Sequence, residues 1–74
     1  MNILEHIRQI SKKLNLKTSK QEYRYYIVVQ NNKVEMILVK SNKNLVSELG
    51  YFHNEDDCKM IINKYQRELL ECIS

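Results

Sequence analysis

Two alternating runs hinged on Asn31-Asn32 leave residues 22–40 little choice but a β-hairpin. In the first run Tyr23, Tyr25, Ile27 and Val29 alternate with Arg24, Tyr26, Val28 and Gln30. Aromatic and β-branched residues at period two are the signature of a strand. Asparagine tolerates the left-handed backbone that both central positions of a two-residue type I′ loop require. A strand over 22–30 is therefore expected to turn directly into a second over 33–40. So short a loop also fixes the register. Val29 should stand opposite Val34, Ile27 opposite Met36, and Tyr25 opposite Leu38, which makes one face almost wholly apolar and assigns it to the core.

Helical periodicity brackets the hairpin. Ile3, Ile7, Ile10 and Leu14 recur on one side of a helix expected from residue 2 to about 14, with Asn2 and Glu5 spaced as a capping pair. A polar, basic connector follows at 15–21. At the other end Asn54 offers a cap, and Glu55, Asp56 and Asp57 place negative charge on a helix N-terminus. Cys58, Ile61, Ile62, Tyr65, Leu69, Cys72 and Ile73 form the apolar stripe of that last helix.

Between hairpin and last helix, Leu45, Ser47, Leu49 and Tyr51 alternate with Val46, Glu48, Gly50 and Phe52. This predicts a third strand over 45–52, with Gly50 at a bulge. The expected fold class is α+β, in the order α-β-β-β-α, with a three-stranded antiparallel sheet packed against an N-terminal and a C-terminal helix. A chain of 74 residues fits one such domain. Its predicted core is Ile7, Ile10, Ile27, Met36, Leu38, Ile61, Tyr65 and Leu69.

Several chemistries are set aside at this level. The lone Gly50 cannot build a glycine-rich phosphate loop. His6 and His53 stand at no ligand spacing from a second histidine or a CxxC pair, so no metal site and no cofactor are expected. The dense run His53-Asn54-Glu55-Asp56-Asp57-Cys58 reads as a helix start, because sequential neighbours on a helix diverge. No catalytic residue is assigned and an enzyme is not expected. Cys58 and Cys72 lie about 21 Å apart on one helix, at 1.5 Å per residue, well beyond the roughly 7 Å that a disulfide spans; both read as small apolar residues of the buried stripe. No apolar run approaches the roughly 20 residues of a membrane span, and the start lacks the apolar stretch and small-residue cleavage site of a secretory signal. Cytoplasmic residence is the expectation.

Charge is unevenly distributed. Residues 1–44 hold nine Lys or Arg against three Asp or Glu, a net of +6, whereas residues 45–74 hold three against six, a net of −3. Within the first part Lys12, Lys13, Lys17 and Lys20 form a basic run that suits nucleic acid or an acidic protein surface. It equally suits a solvated connector.

A second candidate surface comes from the hairpin face turned away from the core. There Tyr26, Val28, Ile37 and Val39 gather beside Arg24 and Glu35, where a water-facing sheet would alternate to polar residues. Arg24, Tyr26, Val28, Ile37 and Val39 are the candidate partner-binding residues. Three covers are open: another part of the same chain, a homodimer, or a larger partner protein.

The order α-β-β-β-α in a chain this short resembles that of double-stranded RNA-binding domains, which set a lysine-rich second-helix N-terminus on phosphates. Here that place reads Asn54-Glu55-Asp56-Asp57-Cys58-Lys59, and the hairpin loop Gln30-Asn31-Asn32-Lys33 lacks the family's Gly-Pro-x-His signature. A nucleic-acid-binding module is thus the alternative reading.

The opening Met1-Asn2-Ile3, then Ile7-Arg8-x-Ile10 and a lysine-rich turn, resembles the first helix of prophage anti-CRISPR proteins of the type II-A class. Gly50-Tyr51-Phe52, an acidic cap and a helix running to Glu68-Leu69-Leu70 are similar to C-terminal segments of small phage proteins. The resemblance implies a phage-type inhibitor that binds a host defence protein or nucleoprotein. The type II-A inhibitor is strongly acidic and imitates DNA, whereas this chain is net +3, so DNA mimicry is not part of the expectation.

Overall fold

A computed structural model describes residues 2–43 and 45–73. The chain is α+β: helix α1 (Ile3–Leu16), strands β1 (Tyr23–Gln30) and β2 (Lys33–Lys40), and helix α2 (Glu55–Ile73). Asn2 starts α1 as expected, its Oδ1 accepting from the Leu4 amide at 3.0 Å. Asn54 does the same for α2 through the Asp56 amide at 2.8 Å.

The hairpin follows its sequence. Asn31 and Asn32 both adopt positive φ, 53° and 59°, as a type I′ loop demands. The register pairs Val29 with Val34, Ile27 with Met36, Tyr25 with Leu38, Tyr26 with Ile37 and Arg24 with Val39. α2 packs against both strands, and α1 packs against α2.

Among the described residues the third strand is not formed, and the sheet has two strands. A single bridge stands in its place, in which Tyr25 and Phe52 exchange backbone hydrogen bonds of 2.9 and 2.8 Å. Just before it the chain turns, with the Gly50 amide on the Ser47 carbonyl at 3.2 Å and the Leu49 amide on Ser47 Oγ at 3.3 Å. A serine that bonds its own following backbone favours a turn over a ladder. Gly50 then takes φ 79°, which reverses the direction that the alternation alone suggested. Nothing in the period-two pattern distinguishes such a turn from a strand.

Ile7, Ile27, Leu49, Phe52, Cys58, Ile61 and Leu69 form the buried core, with Ile10, Met36 and Tyr65 half-buried against it. Leu38 departs from expectation. It lies on the core face of β2 yet is 53% exposed, and it stands outside the core cluster against which Val34 and Met36 of the same face pack. Cys72 departs too: it is exposed, and only Cys58 belongs to the core. Burial pushes the Cys58 thiol up to about 12, with the neighbouring Glu55 carboxylate adding to the effect. No described helix is long and apolar enough to cross a membrane.

Candidate interaction groove

The hairpin face for which three covers were open is closed at its centre. Tyr26 is 1% exposed, and its hydroxyl donates to the Leu45 carbonyl at 3.4 Å. Tyr51 lies beside it with ring centroids 6.0 Å apart, and the Arg24 guanidinium sits 4.2 Å from the Tyr51 ring centroid. The segment 45–53 therefore provides the cover over β1, so Tyr26 and Arg24 are engaged within the chain. Val28, Ile37 and Val39 remain half-buried beside them. Of the three covers weighed for this face, the chain itself accounts for Tyr26.

Asn15 holds that segment in place. The Phe52 backbone is spent on Tyr25, so the flanking Tyr51 carbonyl and His53 amide point the other way. Asn15 meets both, donating from Nδ2 to Tyr51 O at 2.8 Å and accepting at Oδ1 from His53 N at 3.0 Å. A side-chain amide here substitutes for the next strand of a ladder. Only the tertiary position of Asn15 gives it that role, and its spacing in the sequence carries no such signal.

Covering Tyr26 creates a new surface. Between the C-terminal half of α1 and the segment 45–51 lies an open groove of about 680 Å³. Its floor includes Tyr26 and Gly50, and its walls carry Leu16, Leu45 and Val46. These three are 87%, 43% and 95% exposed, and they stand together. Isolated exposed apolar residues are ordinary; a set around one concavity is not. Arg8 and Lys12 form the groove's basic rim, and among the described residues no acidic side chain lines it.

Lys12, Lys13, Lys17 and Lys20 are all exposed along α1 and the connector, and none pairs with a carboxylate among the described residues. The ion pair described is Lys59 with Glu55 at 3.1 Å, one turn apart on α2. Lys12 thus belongs to both the basic run and the groove rim.

The residues of the helix start do what their position dictates: Asn54 caps α2 and Glu55 pairs with Lys59. No group of three or more His, Cys, Asp or Glu side chains converges among the described residues. Thr18 Oγ1 and His53 Nδ1 meet at 3.2 Å beside a second, polar concavity of about 480 Å³. That hydroxyl–imidazole pair has no acid bonded to the other imidazole nitrogen among the described residues, the feature that orients a histidine base. His6 Nε2 is engaged by the Tyr65 hydroxyl at 3.1 Å, a contact that ties α1 to α2.

No family model, curated protein or solved structure matches the chain, so its functional reading rests on the residues of the groove and the basic run.

Proposed function

We propose that the chain works without catalysis, by docking its groove onto an acidic, apolar segment of a larger protein. The observation that carries this reading is the set Leu16, Leu45 and Val46, exposed together around one concavity with Arg8 and Lys12 on its rim. Apolar walls gain from desolvation against a protein, while a cationic rim selects a partner with Asp or Glu beside its apolar anchors. The groove's side chains suit protein better than nucleic acid. Single-stranded bases stack on open aromatic rings, whereas Tyr26 is closed and the exposed walls are aliphatic.

Taken with the resemblance to small phage proteins, the partner class is a host defence protein or nucleoprotein. The protein then acts as an anti-CRISPR-type inhibitor in the cytoplasm of a bacterial host. The test uses Leu16→Ser with Val46→Asp, two exposed positions whose substitution leaves the core intact. The parent should inhibit DNA targeting by a CRISPR effector and bind it after nuclease treatment. The double variant should bind on the order of 100-fold more weakly, a loss of two tenfold steps. Undiminished inhibition by the double variant, or none by the parent, overturns the reading.

A second reading as a nucleic-acid-binding module is supported by Lys12, Lys13, Lys17 and Lys20, four exposed cations on one stretch. The acidic start of α2 and the missing third strand both count against its double-stranded RNA-binding form.

A further inference from the structure

Among the described residues the outer edge of β2 is unpaired, and the phase of the hairpin sets which of its backbone groups point outward. In an antiparallel pair, opposed residues alternate between those that bond each other and those whose N–H and C=O point away. Tyr25 exchanges its bonds with Phe52, so its backbone points away from β2. Leu38, its partner in the register, must therefore point away from β1. The Ser41 amide donating to the Glu22 carbonyl at 2.9 Å agrees with that phase. By alternation the N–H and C=O of Val34 and Met36 face outward as well. None of these three residues has a backbone partner among the described residues.

Proteins usually protect such an edge with proline, a bulge, an inward charge or a covering loop. Among the described residues β2 has none of these: its register runs unbroken from Lys33 to Lys40, and Val34, Met36 and Leu38 take three of its four outward positions, with Lys40 at the end of the strand as the fourth. Leu38 adds a second observation, since it sits on the core face and is 53% exposed. Its side chain is therefore open to a partner at this edge. A hairpin of two strands is itself a marginal sheet that more strands would complete.

We propose that β2 is the pairing edge of a homodimer, two copies joining their β2 strands antiparallel about a two-fold axis at Ile37. Only a self-complementary strand can make such an isologous contact. Centred on Ile37, the register places Leu38 of each copy against Met36 of the other on the helix-covered face. Ile37 meets its own counterpart on the opposite face, and Glu35 meets Val39. No two like charges stand directly opposite, and the result is a continuous four-stranded sheet. The edge is separate from the groove between α1 and the segment 45–51, so the dimer and the docking reading stand or fall independently.

The test is sedimentation of the full chain over a concentration series, with Leu38→Lys and Leu38→Pro. Because the Leu38 amide points away from β1, proline there removes no bond of the hairpin, and lysine at a half-exposed edge leaves the core alone. The parent should sediment at twice 8.9 kDa. Its Val34, Met36 and Leu38 amides should exchange more slowly as concentration rises. Leu38→Lys should retain the parent's circular dichroism and dissociate about 100-fold more readily, and Leu38→Pro should do the same. A parent that stays monomeric at millimolar concentration overturns the proposal. A dimer that survives Leu38→Lys but is lost with Leu16→Ser and Val46→Asp overturns it too, since the groove would then be the interface.

Discussion

Gly50 lies so close to Ser11 that a Cβ at position 50 would stand 2.7 Å from the Ser11 hydroxyl oxygen. Ser11 cannot readily give way: it is 1% exposed, and its Oγ donates to the Arg8 carbonyl at 2.7 Å. Gly50 also holds φ 79°, where a side chain is strained even in open space. Gly50→Ala should therefore lower stability by about 1 to 3 kcal/mol, measured by urea unfolding. An alanine variant as stable as the parent would mean that the turn before Phe52 is not built this way.

Ile61 and Leu38 were equivalent as predicted core residues and are opposite in the fold. Ile61 is buried against α1 and the sheet, so Ile61→Ala should cost about 2 to 5 kcal/mol. Leu38 is half-exposed in the single chain, and Leu38→Ala should cost under about 1 kcal/mol in a monomer. Thermal melts at concentrations where the parent is monomeric separate the two.

Asn15 satisfies two backbone groups of the segment that covers Tyr26. Asn15→Ala leaves the Tyr51 carbonyl and the His53 amide without it, which should cost about 1 to 3 kcal/mol. Asn15→Asp keeps the acceptor for His53 and loses the donor to Tyr51. It should therefore fall between the parent and the alanine variant in stability. Because the same segment carries Leu45 and Val46, both variants should also weaken docking at the groove. Binding that is untouched while stability drops would separate the segment's order from the contact surface.

These cases show where the sequence was readable. Hairpin register was legible because Asn31-Asn32 is a local signal, and a two-residue loop leaves no freedom to slip. Helix starts were legible for the same reason, since Asn2 and Asn54 bond to amides two residues away. The groove was not legible. It depends on the segment 45–53 folding back over Tyr26, and that segment's alternation mimics a strand. Tyr26 was left with three possible covers because a hairpin face gives no hint of what crosses it. Conversely, Leu38 looked buried because periodicity assigns a face but not how far a helix extends over it. Of the candidate contact residues, Tyr26 and Lys12 fall on the groove that the fold creates, Tyr26 in its floor and Lys12 on its rim.

The basic run makes a prediction of its own. If Lys12, Lys13, Lys17 and Lys20 contact phosphates, binding to duplex RNA or DNA should weaken linearly on a log–log plot against salt. Replacing all four by glutamate should then reduce that slope by about 3 to 4, close to one per phosphate contact. Absence of binding at low ionic strength removes the nucleic-acid reading. An unchanged slope in the variant moves the contact elsewhere on the chain.

Cys58 and Cys72 should behave as different chemical species although they share α2. Cys72 is exposed and should react with a thiol reagent at neutral pH, whereas Cys58 should react only as the chain unfolds. The same burial links Cys58 to stability. Its thiol is held from an ordinary 9.0 up to about 12, so in the folded chain it keeps its proton across an interval in which the unfolded chain has lost it. The unfolded state then binds fewer protons, and stability must fall as pH rises. Below about pH 9 the contribution is fully present; above it, loss should proceed at about 1.4 kcal/mol per pH unit until the folded thiol itself ionises. Comparing the parent with Cys58→Ala by urea unfolding at successive pH values isolates the part of this pH dependence that belongs to Cys58. The alanine variant starts less stable but should lose less stability between pH 9 and 11. Parallel curves for the two proteins would mean that Cys58 titrates normally and is not sealed from water by the core.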